Sequence, residues 1–311
     1  MAIISKGTNT ESLCELCGTH EAVVVQPSWG VVRCSRCGLI YSENRTVPPD
    51  LYEEAYTQRG KIATYEFDGE RYKFRARRFW RALFERLAKY RKCGRLLDVG
   101  CGLGFLLDLA RQLGWEPYGL EVSAYASQYA REHFGLTVHH GALEDNTYPP
   151  ESFDAVVCSH VLKHVPTPRN FLRRIHDILR PGGVLLLLVP TPFSSLSYKL
   201  FGRLHGPGPP VHLFFFSAHT LSLLLHQQGF EVLKRTVNTQ LVNTIGDFTK
   251  DRELEAKMAR VSEDVVGADQ STLRQRLRNL AVSAAKGTVN ALGSLLGFGD
   301  EVIIFARKRP M

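Results

Sequence analysis

Between Arg71 and Lys92 (RYKFRARRFWRALFERLAKYRK) apolar side chains recur at helical spacing. Phe74, Phe79 with Trp80, Leu83 with Phe84, and Leu87 fall on one face and arginines on the other, which predicts an amphipathic helix. After Gly94 the period changes. RLLDVG reads as a short buried strand, and a glycine-rich loop leads from it into the helix FLLDLARQLG, closed by Gly114. A second strand, EPYGLEV, carries Glu121 near its end, and Ser123 is placed to cap the helix AYASQYAREHFG, which stops at Gly135. LTVHHG is a third strand and FDAVVCS (153–159) a fourth. A helix over 168–180 runs into RPGG, and the wholly apolar GVLLLLVP (183–190) is a fifth strand.

The rest is less regular. Residues 191–216, rich in Pro, Gly and Phe, read as a loop over the sheet. SAHTLSLLLHQQG is a capped helix, FEVLKRTV a sixth strand and EVIIFARKR a seventh. Residues 241–296 between the last two are polar and helical in character, with mild disorder expected around 251–275. Alternating strands and helices at this spacing imply right-handed crossovers and a parallel sheet. The expected fold is α/β, with a Rossmann-like, mostly parallel seven-stranded sheet. Four regions are expected: a ribbon over 1–45, a linker and helical cap over 46–92, a core over 93–240 and 297–311, and a helical insertion over 241–296.

Composition narrows the setting. With 311 residues, 44% hydrophobic and 23% charged, the chain is ordinary for a soluble globular protein. It has no run of eighteen or more apolar residues, so no membrane-spanning helix is expected. The start, MAIISKGTNTESLCELCG, lacks the pattern of a secretory signal. A net charge of +8 suits an anionic partner, but the basic residues are scattered and form no tract. Seven cysteines, an odd number without a signal, argue for a reducing compartment, and the cytoplasm is the expected location.

Chemistry is concentrated first in DVGCGLG, Asp98 to Gly104. Glycines at 100, 102 and 104 permit positive φ and let a ligand approach the backbone. The helix that follows offers unsatisfied N–H groups to a carboxylate or phosphate. A dinucleotide fingerprint would read GxGxxG; here the spacing is GxGxG with Asp98 two residues ahead. Glu121, at the end of the second strand, can accept hydrogen bonds from two ribose hydroxyls.

This combination resembles motif I and the ribose acid of class I S-adenosylmethionine methyltransferases, and the resemblance continues from Tyr52 onward. It implies that Asp98, Gly100, Cys101, Gly102 and Gly104 back the methionine end of S-adenosylmethionine. It also implies that Glu121 and Val122 hold the ribose, and that Ala142 and Leu143 in GALED flank the adenine. Ser159 lies near the methionine end, and Tyr52 and Tyr56 match tyrosines that close over the cofactor. HLFFFSAHTLSLLLHQQGFEV (212–232) resembles a stretch common among small-molecule methyltransferases, and GDEVIIFARKR matches the antiparallel seventh strand of that fold.

The head of the chain carries Cys14-x2-Cys17 and Cys34-x2-Cys37, each pair followed by glycine. Two such knuckles predict a structural zinc ion held by four thiolates. Similar heads occur in sugar C-methyltransferases, and some rRNA methyltransferases carry an N-terminal zinc module. For RNA binding, Arg33, Arg36 and Arg45 would contact phosphates, with Trp29 and Tyr41 as stacking platforms. The ribbon is short and not densely basic, so nucleic acid is the disfavoured partner.

Methyl transfer needs orientation, and a base where the acceptor must lose a proton. The candidate bases are His212, His164 and His160, with His205 in the same loop as His212. Relatives that use an acid or hold a metal read VLEH where this chain reads VLKH (161–164), which weakens a metal-assisted mechanism. A surface position is expected for Lys163, its functional reading being attraction of an acidic acceptor. The expected activity is S-adenosylmethionine-dependent methylation, most simply on oxygen, of a small-molecule, sugar-linked or lipid-linked acceptor. The rivals are RNA methylation and a non-catalytic cofactor-binding scaffold. The insertion over 241–296 is expected to shape the acceptor pocket or to form a homodimer.

Overall fold

The computed structural model describes residues 13–48, 51, 53, 69–145, 148–195, 198–199, 202, 208–238 and 298–309. Tyr52, Tyr56, His205 and the insertion over 241–296, with the pocket and dimer roles expected of it, lie outside the described residues. The described residues fall into two compact units, one within 1–189, 207–234 and 304–311, the other within 190–206 and 235–303.

The predicted alternation is present. Helix α1 (Gly69–Leu87) buries Leu83, Phe84 and Leu87, the C-terminal part of the expected apolar stripe, whereas Phe79 of that stripe is exposed. Strand β4 (Arg95–Val99) leads to α2 (Phe105–Gln112), β5 (Glu116–Glu121) to α3 (Ala124–Phe134), and then come β6 (Thr137–His140) and β7 (Phe153–Ser159). Helix α4 (Pro168–Ile178) precedes β8 (Leu179–Pro190), and α5 (Ala218–Gln227) precedes β10 (Phe230–Asn238); β11 (Glu301–Lys308) is last. Ser123 caps α3 by accepting from the Ala126 N–H at 3.1 Å, as its position predicts. The seven-stranded sheet has the order β10-β11-β8-β7-β4-β5-β6, mostly parallel with its last strands antiparallel.

Two expectations change. The fifth strand of the sheet starts at Leu179 rather than 183, so α4 passes directly into β8. The PGG turn is absorbed into the strand, with Gly182 at φ +71° and the β7–β8 register shifting between Phe153 and Ala155. Residues 191–216 are also not all loop. Phe214–Phe215 form a short strand, β9, which pairs with the N-terminal ribbon.

That ribbon consists of β1 (Ala22–Gln26), β2 (Val31–Cys34) and β3 (Ile40–Ser42), antiparallel throughout. Tyr41 sits opposite Phe214, and Ile40 opposite Phe215, so β9 becomes its fourth strand. Arg45 seals the join, its guanidinium 4.8 Å from the Tyr41 ring centroid and 5.0 Å from that of Phe214. In the second unit the Thr191 hydroxyl donates to the Gly299 carbonyl at 2.7 Å, and the Asp300 N–H donates to the Asn238 carbonyl at 2.8 Å.

The sheet order places the functional end. From β4 the chain winds outward through β5 to β6, then returns to β7 on the opposite side of β4. Strands that diverge in this way leave a crevice at their carboxyl ends, where ligands of doubly wound sheets bind. At the opposite end Asp154 ties four elements together. It accepts from the Arg91 and Arg180 guanidiniums, each at 2.6 Å, and from the Arg95 N–H at 2.9 Å. Gly94 is required beside it, since a Cβ there would lie 2.3 Å from the carboxylate. Burial pushes the Asp154 carboxyl up, but these donors outweigh it and hold the group below its ordinary value of 3.8. A depressed carboxylate stabilises the fold above its unfolded pKa, and that contribution is lost as pH falls. Asp154→Asn is therefore expected to cost about 1.5–3 kcal/mol in urea unfolding near neutrality, with the gap to wild type closing on acidification below 3.8.

Candidate functional site

A cavity of about 1010 Å³ opens at the carboxyl ends of β4, β5 and β7. Its floor is the glycine loop. Gly100, Gly102 and Gly104 have φ of +75°, +54° and +86°, in the left-handed region that favours glycine. The Gly100 and Cys101 N–H groups donate to the Leu120 carbonyl at 2.7 and 3.2 Å, which folds the loop back over β5. A Cβ on Gly100 would meet Val161 at 2.4 Å, and one on Gly104 would meet Ala130 at 2.8 Å. The loop is thus pressed between α3 and the turn that follows β7.

Two carboxylates line the cavity side by side. Asp98 is 2% exposed and Glu121 4%. Glu121 accepts from the Gly102 N–H at 2.8 Å with one oxygen and from the Ser123 N–H at 3.0 Å with the other. Burial raises its pKa and the amide donors partly offset the rise. Asp98 is raised well above the carboxylate range, by burial first and then by the charge of Glu121. Val122, Ala142, Leu143 and Ser159 also line the cavity, so the residues expected to surround one ligand are brought together. Arg77 and Trp80 of α1 add a wall that the sequence did not mark. Glu53 is a further addition: it accepts from the Ser123 hydroxyl at 2.7 Å.

The turn after β7 carries the histidines. His160 and His164 line the cavity, whereas His212 is not among its described lining residues. His212 packs against His164 with ring centroids 5.1 Å apart. The His164 Nδ1 hydrogen-bonds the Val211 carbonyl. Burial first, then the charge of Lys163, brings His164 down to about 4; the Val211 carbonyl only partly opposes this. His212 is held down to about 3 by burial, by Lys163 and by the other two histidines. Lys163 is not a surface residue. It is 6% exposed, and its Nζ lies 3.3 Å from the His160 Nδ1.

Comparison with known proteins agrees with this geometry. Residues 72–235, more than half of the chain, match the family described as "Methyltransferase domain". The chain belongs to this family. The methyltransferase domain is 34% identical over 117 residues to the mitochondrial ubiquinone biosynthesis O-methyltransferase of Schizosaccharomyces pombe, covering 35% of this chain and 40% of that protein. It is 36% identical over 150 residues to the ubiquinone biosynthesis O-methyltransferase of Xanthomonas euvesicatoria pv. vesicatoria (44% and 63%). The matches span roughly half the length of these curated relatives. Among solved structures, phosphoethanolamine N-methyltransferase 2 of Haemonchus contortus in complex with S-adenosyl-L-methionine shares the fold at TM-score 0.50 and 18% identity, covering 75% of this chain and 53% of that one.

The four ribbon cysteines form one cluster whose sulfurs all lie within 4.8 Å of one another. Cys14 to Cys37 is 3.4 Å and Cys17 to Cys34 3.5 Å, near the edge of about 3.8 Å that a tetrahedron of Zn–S bonds would have. Each knuckle turns at its glycine, the Gly18 N–H donating to the Cys14 carbonyl and the Gly38 N–H to that of Cys34. Burial raises the Cys34 thiol, but the Cys37 and Arg36 N–H groups outweigh it and bring it to about 7. The RNA-binding groups divide. Arg45 and Tyr41 are used inside the ribbon join, and Trp29 packs against Gly208, which leaves Arg33 and Arg36 exposed.

The depressed histidines carry a pH signature. An unfolded imidazole takes up a proton near 6.5, whereas folded His164 does so only near 4 and His212 near 3. The folded state refuses protons that the unfolded state accepts, so stability present at neutral pH falls as pH drops from about 6.5 toward 4. A His164→Asn, His212→Asn double variant should flatten this slope, its urea midpoints at about pH 7 and pH 5 lying closer together than those of wild type.

Proposed function

We propose that this methyltransferase domain moves the methyl group of S-adenosylmethionine to an oxygen of a small-molecule acceptor. The observation that carries the reading is Glu121, a buried carboxylate clasping the glycine loop at the floor of a cavity large enough for both partners. Each of its oxygens keeps a second lone pair for a ribose hydroxyl, while Asp98 and the loop amides face the polar end of the ligand. The acidic floor also suits a cationic sulfonium. When bound, S-adenosylmethionine supplies an electrophilic methyl group for in-line displacement. The relatives whose names say O-methyltransferase support oxygen as the acceptor atom.

His164 is the proton acceptor in this reading. A main-chain carbonyl can only accept, so the Val211 contact fixes the proton on Nδ1. The ring is neutral at physiological pH, which leaves the lone pair on Nε2. So weak a base does not ionise the acceptor beforehand; it takes the hydroxyl proton as the new C–O bond forms. His212 supports His164 from outside the cavity wall. Four thiolates from Cys14, Cys17, Cys34 and Cys37 would hold a structural zinc ion, with no open position for catalysis. The ribbon's use of Arg45 and Tyr41 for packing favours small-molecule over RNA methylation.

Titration calorimetry with S-adenosylmethionine on wild type and Glu121→Ala tests the central claim. The expected result is binding by wild type and about 10- to 100-fold weaker binding by the variant, the worth of hydrogen bonds to a charged group. No heat in either protein would sink it. Metal analysis of the purified chain should find about one zinc per chain, falling to a small fraction in Cys34→Ser. A metal-free wild-type ribbon that retains its fold would end the zinc assignment.

A further inference from the structure

Two cavity histidines four residues apart would ordinarily be interchangeable as bases. Their partners make them opposites. The His164 Nδ1 faces a carbonyl oxygen, that of Val211. The His160 Nδ1 instead faces the Lys163 Nζ at 3.3 Å. An ammonium only donates, so the imidazole nitrogen beside it must be the one with the lone pair. A neutral ring that accepts at Nδ1 carries its proton on Nε2.

We propose that Lys163 is a positioning residue that fixes His160 as an Nε2–H donor, opposite in sense to His164, so that only His164 serves as a base. Three further observations support this assignment. Lys163 is buried, and its cationic charge acts on both His164 and His212. Its backbone is held as well, because its carbonyl accepts from the Leu213 N–H at 2.8 Å. His160 also occupies a left-handed conformation at φ +59°, rare for a residue with a Cβ, while its N–H donates to the Leu188 carbonyl at 2.9 Å. Backbone strain of this kind is retained where a side chain must be held in one orientation.

The functional consequence rests on the methyl-transfer reading above. In that reading the His164 Nε2 accepts the hydroxyl proton, and the His160 Nε2–H is a donor at the same turn.

The test is long-range proton–nitrogen correlation spectroscopy on the full chain labelled with 15N-histidine near pH 7.5, with signals assigned through His160→Asn and His164→Asn. The expected wild-type pattern is a bare Nδ1 with Nε2–H on His160, and Nδ1–H with a bare Nε2 on His164. Lys163→Met should turn the His160 signal into a mixture of tautomers, and Lys163→Arg, which keeps a cationic donor, should restore the single form. A proton on the His160 Nδ1 in wild type would overturn the proposal, since Lys163 would then be an accepting amine. An unchanged His160 pattern in Lys163→Met would overturn it as well. If Lys163→Met does not fold, the wild-type spectrum decides alone. Calorimetry with S-adenosylmethionine on the same samples separates the two claims. The expected tautomers without cofactor binding would remove the methyl-transfer reading and leave the role of Lys163 standing, and binding with the wrong tautomers would do the reverse.

Discussion

The clasp of Glu121 on the glycine loop is the constraint on which the cleft depends. Two carboxylates at the ends of adjacent parallel strands, both almost fully buried, would be costly if both carried full charge. The cost is reduced in two ways. Glu121 is solvated by the Gly102 and Ser123 amides in place of water, and Asp98 is driven toward its protonated form by burial and by Glu121 itself. The amides that make this tolerable belong to the loop and to the start of α3, so charge balance and loop conformation are one arrangement. The left-handed glycines supply the turns that aim the Gly102 N–H at Glu121.

A second arrangement lies at the turn that follows β7. The segment from Gly208 to Phe216 lies between the ribbon and the histidine turn, and it is bonded to both. Leu213 donates to the Lys163 carbonyl and accepts from the Ser42 N–H at 2.8 Å, while Val211 orients His164. Phe214 and Phe215 close the ribbon sheet. The cysteine cluster thus stands at the far end of a continuous chain of backbone hydrogen bonds leading to the cavity histidines.

Local features of this design were legible in the sequence. The short apolar runs of the strands, the capping Ser123 and the glycine spacing are short-range signals, and each corresponds to an observed element, with β8 starting earlier than its run implied. Asp98, Glu121, Leu143 and Ser159 could be named because their motifs resemble those of class I methyltransferases, and the structure sets all four at strand ends where the parallel sheet reverses its winding. What escaped depends on contacts made from far along the chain. Lys163 reads as a surface residue because nothing near it predicts that Leu213, fifty positions later, will fold over its backbone. Phe214 and Phe215 read as loop because their pairing partners lie in the first forty-two residues. Arg45 looks like a phosphate ligand until its two aromatic neighbours are in place.

For the proposed role of His164 as proton acceptor, the two arrangements bear on how so weak a base would act. Lys163 lowers the basicity of His164, which taken alone would slow removal of the acceptor's proton. The same charge would lower the pKa of a hydroxyl bound beside the histidines, because a nearby cation favours the ionised oxygen. In the proposed reaction donor and acceptor pKa values would fall together, with His164 unprotonated at neutral pH. The lysine and the neutral histidines are therefore consistent with one another, and each makes functional sense only with the other buried.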